Sequence, residues 1–103
     1  MIEKILICGT KSGRECDKFA IYKFTKLLAQ FVRAPLIGEC IANIECKIIK
    51  KVDVDSHTLF IGEILRAIVE ENAFTDRWEI NEVELLHHLG SKYYEISGKE
   101  LIP

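Results

Sequence analysis

Residues 8–19, CGTKSGRECDKF, are the most informative stretch of this sequence. The glycines in it indicate a turn at which the backbone can approach another group closely. Its basic side chains Arg14 and Lys18 could meet an anionic group there. The alternative is a connection between two helices with solvated basic residues, and the residues alone favour it. A phosphate-binding P-loop is excluded, because G-x-x-x-x-G-K-S requires glycine at positions that hold Ile5 and Thr10.

A second informative segment, HTLFIGEI at residues 57–64, lies further along the chain. It follows turn-forming residues at 53–56 and starts with His57. A lone histidine at such a place is usually a surface or hydrogen-bonded residue. The run at 58–69 fits both a helical stripe and one face of a strand, so periodicity alone does not decide between them.

The residues before this segment alternate clearly. One apolar set contains Cys40, Ala42, Ile44, Cys46 and Ile48, and the positions between them hold Asn43, Glu45 and Lys47. This pattern predicts a half-buried strand.

Helical patterns occur on both sides of the strand. Apolar residues mostly three or four apart predict a helix over residues 17–32, with Asp17 as its N-cap. A boundary follows at Pro35, because a residue before proline avoids helical geometry. Residues 2–7 fit a helix or a strand. Residues 81–89 predict a short helix ending at Gly90, and residues 92–96 a last short strand.

Composition limits the function classes. The chain has 103 residues, enough for one domain, with 49% hydrophobic and 29% charged residues, as in ordinary globular proteins. A net charge of -2 gives no reason to expect nucleic acid or an anionic membrane as partner. No apolar run is long enough to span a bilayer, and the start is not typical of a signal peptide. We expect a cytoplasmic protein.

The four cysteines form no C-x-x-C pair, so the usual zinc and thioredoxin-like spacings are absent. In a reducing compartment such residues are expected to be free and mostly buried thiols. The sequence therefore predicts no metal site.

The segments at 8–19 and 57–64 together resemble those of the flavin reductase-like family. Its members, among them flavoredoxins, flavin reductases and ferric reductases, have FMN-binding split-barrel domains. The stretches Ala34-Pro35-Leu36-Ile37 and Glu45-Cys46-Lys47 add to the resemblance. In the family, CG-x-x-SGR-x-x-DKF lies near the middle of the domain, whereas here it begins at the eighth residue. The resemblance therefore implies the C-terminal half of the domain, without the N-terminal half that normally supplies much of the flavin site.

The fold that the resemblance implies is mainly β with flanking helices, a partial FMN-binding split β-barrel. It implies a single domain over residues 1–103. A helical lead segment occupies 1–33, and the region 34–97 holds the barrel strands together with a short helix near 81–89. The resemblance favours a helix at the start of the chain. It also favours a strand at 58–69 paired with the preceding one, and Gly62 would then be a bulge or a point of close approach.

The resemblance also implies a cofactor site. The cofactor is FMN, and the implied binding residues are Ser12, Arg14, Lys18, His57 and Tyr93. Lys18 matches the family lysine that contacts the flavin. His57 matches the histidine of a Gly-Asp-His motif, which lies near the flavin and the nicotinamide, and it is the candidate catalytic residue. Here that motif reads Asp55-Ser56-His57, so the histidine is retained and the Gly-Asp pair is not.

A late segment, GSKYY at residues 90–94, resembles the family's G-x-x-Y-W, with Tyr94 at the tryptophan position. An aromatic ring there can pack against the isoalloxazine of a flavin. Packing within the protein core is the alternative for Tyr94 and, less strongly, for Tyr93.

The implied function is FMN-mediated electron transfer, with NAD(P)H or a redox protein as electron donor. The alternative is a shortened, non-catalytic relative that acts as an assembly or regulatory module. Family members are commonly homodimers. Strands left with unpaired edges give a further reason to expect a homodimer or a higher oligomer.

Overall fold

The computed structural model describes residues 2–10 and 17–103. The helices are α1 (Ile2–Thr10) and α2 (Lys18–Ile21), and the strands are β1 (Lys26–Leu27), β2 (Leu36–Ile37), β3 (Ala42–Val54), β4 (His57–Val69), β5 (Leu86–Gly90) and β6 (Tyr93–Ile96). The strands form three antiparallel pairs, β1–β2, β3–β4 and β5–β6. The predicted mainly β class with flanking helices is confirmed, and within the described residues the strands do not close into a barrel.

The chain divides into two compact units. Unit 1 contains Met1–Phe24 and Glu70–Pro103, and unit 2 contains Thr25–Val69. In unit 1, α1 confirms the helix expected at the start of the chain. No helix in the described ranges has the length and apolar character needed to cross a bilayer.

Helix α2 begins as predicted but is much shorter than predicted. The carboxylate of Asp17 accepts a hydrogen bond from the Phe19 N–H at 3.1 Å, so Asp17 is the N-cap. The helix was expected to continue to residue 32, yet Lys23 adopts a left-handed φ of 56°. The Phe24 N–H then donates to the Phe19 carbonyl at 3.1 Å, which closes the helix end in the manner of a C-terminal capping turn.

Strands β3 and β4 form a long hairpin of 13 residues on each side. This confirms the strand interpretation of residues 58–69 and their pairing with the preceding strand. Gly62 lies opposite Ile48, next to a shift of register. A Cβ at this glycine would lie 3.2 Å from the Cys46 Cβ, so Gly62 is a point of close approach, as expected.

Around Glu45 the polar face of this hairpin is covered and the apolar face is exposed, which is the reverse of the usual arrangement. Glu45 is only 2% exposed, and Asn43 on the same face is half-buried. On the opposite face Ile44 is 56% exposed and Ile48 is 54% exposed. The alternation along β3 is therefore real, but the polar side is the covered one at Asn43 and Glu45, whereas Lys47 further along that side is exposed.

Strand β5 takes up the second part of the predicted short helix at 81–89. Only one helical turn forms there, with the Glu82 and Val83 N–H groups donating to the Glu79 carbonyl at 2.9 and 3.1 Å. The chain then pairs with β6, beginning with Leu86 opposite Ile96. Pairing with a later segment overrides the local helical pattern. The predicted last strand is confirmed as β6.

Candidate functional site

The residues predicted to bind the cofactor fall into three groups. Ser12 and Arg14 lie outside the described residues. Lys18 and Tyr93 belong to unit 1, and His57 belongs to unit 2. The role of each as a flavin contact stays a prediction, and the structure shows what surrounds the three described ones within their own units.

The Lys18 side chain binds the C-terminal end of helix α1. Its Nζ donates a hydrogen bond to the Cys8 carbonyl at 2.5 Å. Cys8 lies in the last turn of α1, where carbonyl groups lack partners within the helix and a positive charge is favourable. The sequence did not predict this structural role. An ammonium group carries three N–H donors, so two others can serve a ligand.

His57 is the first residue of β4 and lies opposite Val54 at the tip of the long hairpin. Its Nδ1 is 3.1 Å from the Ser56 hydroxyl. With that hydroxyl as donor, the imidazole carries its proton on Nε2 and can donate it outward. The adjacent Thr58 hydroxyl donates to Asp53 at 2.9 Å, which ties the two strands together beside the turn.

The two tyrosines of β6 have different surroundings. The Tyr94 ring packs against the His88 ring, with the centroids 4.9 Å apart and the planes tilted by 36°. The His88 Nε2 is in turn 2.8 Å from the Ser91 carbonyl oxygen. Tyr93 is 62% exposed. The Tyr94 ring is therefore packed within its hairpin, whereas the Tyr93 ring is accessible to a ligand.

Glu45 is the most constrained polar side chain of unit 2, and sequence reasoning missed its role. Its carboxylate accepts hydrogen bonds from the backbone N–H groups of Gln30 at 3.0 Å and Phe31 at 2.7 Å. It also pairs with the Arg66 guanidinium at 2.9 Å. The Phe31 hydrogen bond, followed by those from Arg66 and Gln30, lowers the pKa of this carboxyl below its ordinary value. Glu45 therefore fastens the loop before β2 to the hairpin as an ionised group.

A second side chain on the same face fastens β2. The Asn43 amide accepts from the Ile37 N–H at 3.0 Å and donates to the Ile37 carbonyl at 3.1 Å. The side chain thus replaces both hydrogen bonds of a strand neighbour. No sequence signal marks Glu45 and Asn43 as anchors, because their partners depend on where the loop crosses the hairpin.

The described cysteines Cys8, Cys40 and Cys46 are free thiols. Cys46 is exposed, contrary to the expectation of mostly buried thiols. Burial raises the pKa of the Cys40 thiol, and the negative charge of Glu39 raises it further. Cys40 is therefore not a reactive thiolate at neutral pH.

Two surface cavities are lined by residues other than the described candidates for cofactor binding. One of about 360 Å³ in unit 2 is lined by Lys26, Leu27, Leu28, Ala29, Val32, Arg33 and Pro35. One of about 280 Å³ in unit 1 is lined by Arg77, Glu100, Leu101, Ile102 and Pro103. Lys18, His57 and Tyr93 line neither of them.

Comparisons with known proteins match most of the chain. Residues 2–97 match the family described as the flavin reductase like domain. An uncharacterized protein of Archaeoglobus fulgidus is 33% identical over 101 residues, which is 97% of this chain and 56% of that protein. An uncharacterized protein of Pyrococcus abyssi is 36% identical over 74 residues, which is 72% of this chain and 42% of that protein.

A solved structure is similar as well. The flavoredoxin of Desulfovibrio vulgaris (Miyazaki F) matches with a TM-score of 0.74 and 34% sequence identity. The match covers 90% of this chain and 51% of the flavoredoxin chain. This chain thus spans about half the length of the proteins that it resembles.

Proposed function

Because this chain belongs to the flavin reductase-like family, we propose that it binds FMN and transfers electrons from NAD(P)H or a redox protein. The observation that carries the proposal is the match of residues 2–97 to the flavin reductase like domain. The structural similarity to flavoredoxin, at 34% identity over 90% of this chain, supports a flavin-related function and a flavin cofactor. The choice of FMN and the electron donor are parts of the proposal.

The described residues fit such a cofactor in their chemistry. Lys18 offers a cation with N–H donors besides the one given to Cys8. Tyr93 offers a ring that is 62% exposed. His57 offers an imidazole at an exposed hairpin tip. A cation, an aromatic ring and a proton donor are the groups needed by a ligand with a phosphate and a flat polar ring system.

Each residue has a separate task in this proposal. Lys18 binds an oxygen acceptor of the cofactor and positions it. Tyr93 packs against the ring system, and His57 donates a hydrogen bond from Nε2 or, when both ring nitrogens are protonated, a proton. The cofactor, when bound, supplies the hydride and electron chemistry, while the protein orients it and tunes its surroundings.

The proposal includes weak binding and a cytoplasmic location. Binding is expected to be weak because the Tyr93 ring is 62% exposed and His57 lies at an exposed hairpin tip, so neither side chain encloses a ligand. The cytoplasmic location is the expectation from the sequence and is part of the proposal.

The test is the reduction of FMN by different donors in a stopped-flow instrument without oxygen. The protein is mixed with FMN and then with NADH, NADPH or a reduced ferredoxin, and the loss of flavin absorbance is followed. We expect at least one donor to reduce the flavin faster with the protein than without it. If the rates with and without protein are equal for all three donors, the electron-transfer proposal is wrong.

One observation favours a second function, that of a non-catalytic assembly module. The long hairpin presents apolar side chains on its uncovered face, which is typical of a surface that binds another protein. In that case the protein would associate normally, and no donor would reduce FMN faster in its presence.

A further inference from the structure

The loop that joins β1 to β2 lines a surface cavity of about 360 Å³. This volume lies within the range of about 300–1,000 Å³ that is typical of small-molecule sites. The apolar part of the lining consists of Leu27, Leu28, Ala29, Val32 and Pro35, and the charged part consists of Lys26 and Arg33. The cavity, called the loop cavity below, therefore combines an apolar wall with positive charge, and the described residues that line it include no acid.

The wall of the loop cavity is fixed from the side of β3. The Glu45 carboxylate, only 2% exposed, accepts hydrogen bonds from the N–H groups of Gln30 at 3.0 Å and Phe31 at 2.7 Å. These two residues lie between the lining residues Ala29 and Val32 in the chain. The backbone of the wall is thus held in place before a ligand arrives, so binding does not have to order it.

The guanidinium of Arg33 is available to an external anion. Arg33 is exposed, and no carboxylate of the described residues pairs with it. Within unit 2, Glu39 accepts from the Thr25 N–H at 2.7 Å, and Glu45 is paired with Arg66 at 2.9 Å. A guanidinium binds a carboxylate through two parallel N–H···O hydrogen bonds. The loop cavity therefore holds a group whose natural complement is a carboxylate.

The apolar lining limits the choice of anion. Leu28 is 96% exposed, more than any other large hydrophobic residue in the described part of the chain, and Leu27 is 44% exposed. Inorganic phosphate or sulfate would meet the cations and leave these side chains in water. An anion with an apolar body would meet the cations and also remove apolar surface from water.

We propose that the loop cavity binds a small aliphatic carboxylate. Arg33 binds the carboxylate group, Lys26 adds positive charge beside it, and the apolar lining contacts the hydrocarbon chain. Glu45 is a positioning residue, because it holds the backbone of the wall and does not touch the ligand. The proposal does not depend on the flavin function, since the described candidates for cofactor binding do not line this cavity.

The test is a titration of octanoate into the full chain without FMN, followed through the amide chemical shifts in NMR spectra. We expect a dissociation constant below about 1 mM, with the largest shifts at residues 26–35. Octanol has the same hydrocarbon chain without the charge, and it should bind at least about tenfold more weakly. This comparison needs only the wild type, so it holds even where a variant fails to fold.

Three variants locate the binding. Arg33→Gln removes the guanidinium and should raise the dissociation constant for octanoate about tenfold or more. Ala29→Leu puts a larger apolar side chain into the cavity and keeps Arg33, so it should weaken the binding of octanoate and octanol alike. Lys50→Gln makes the same change in net charge as Arg33→Gln at an exposed position of β3 outside the cavity. Its affinity should equal that of the wild type.

Several results would overturn the proposal. They are a dissociation constant above about 1 mM, equal affinity for octanoate and octanol, and shifts that centre outside residues 26–35. An affinity that Arg33→Gln leaves unchanged, or that falls equally in Lys50→Gln, would overturn it as well. Displacement of octanoate by FMN would show that the loop cavity is not a separate site.

Discussion

Replacing Glu45 with glutamine is expected to lower the midpoint of thermal unfolding by about 10 °C or more. The carboxylate receives two backbone N–H groups, from Gln30 and Phe31, and the Arg66 guanidinium at the same time. A glutamine carbonyl can accept from the loop, but the glutamine NH₂ then faces the guanidinium, and both are donors. Arg66 would lose its partner, and the loop would lose its anchor.

The measurement is a thermal melt followed by circular dichroism, with Glu63→Gln as the control. That variant makes the same chemical change at an exposed site of the same hairpin, and its midpoint should move by less than about 3 °C. Equal melting of Glu45→Gln and the wild type would show that the Glu45 carboxylate does not hold the loop.

The same carboxylate predicts a loss of stability in acid. Its pKa is lowered in the folded protein, so folding favours the ionised form. The contribution of Glu45 is therefore complete above the ordinary pKa of 4.5 and is lost as the pH falls through the lower folded value. Unfolding midpoints measured at a series of pH values should show a decline in this window in the wild type. The decline should be smaller in Glu45→Gln.

Replacing His57 with alanine is expected to slow the reduction of bound flavin by about a hundredfold or more, the usual contribution of a positioned proton donor. The side chain is at an exposed hairpin tip and bonds only to the neighbouring Ser56 in the described part of the chain. Its loss should therefore change the free energy of unfolding by less than about 1 kcal/mol. A fall in rate without a fall in stability separates a chemical role from a structural one.

The matched control is His87→Ala, which removes another exposed imidazole, one that lies 3.7 Å from Glu95 on the neighbouring strand. Stopped-flow reduction by the preferred donor should be unchanged in this variant. If His57→Ala and the wild type reduce flavin at the same rate, His57 has no part in the reaction.

Local sequence signals were sufficient for some elements of the fold. The Asp17 N-cap was predictable because a cap needs only a carboxylate within reach of the next few N–H groups. The long hairpin was predictable because turn residues at 53–56 separate two apolar runs, although choosing a strand for the second run required the family resemblance. The tight packing at Gly62 followed from the same pairing.

Other elements depend on distant partners and could not be read from local patterns. Helix α2 stops early because Lys23 takes a left-handed conformation that its residue type does not require. Strand β5 forms only because β6 lies beside it. The pairing of Glu45 with Arg66 needs the strand register, and the covering of the polar face needs the position of the loop.

The candidate site also combines features that the sequence predicted with contacts that only the structure shows. The sequence singled out Lys18, His57 and Tyr93 through the resemblance. The structure adds that Lys18 holds the Cys8 carbonyl and that Tyr94, unlike Tyr93, is packed against His88. These contacts join residues that local periodicity does not relate, so they were not predictable from the sequence.

Titration of FMN into the protein, followed by flavin fluorescence, tests the central claim most directly. Two variants accompany the wild type. Lys18→Gln keeps an N–H donor for Cys8 but removes the charge, and Lys99→Gln removes the same charge at an exposed site. We expect a dissociation constant between micromolar and millimolar, a binding free energy of about -8 to -4 kcal/mol. Affinity should fall about tenfold or more in Lys18→Gln and stay unchanged in Lys99→Gln. Unchanged fluorescence of the wild type up to millimolar FMN would contradict the account.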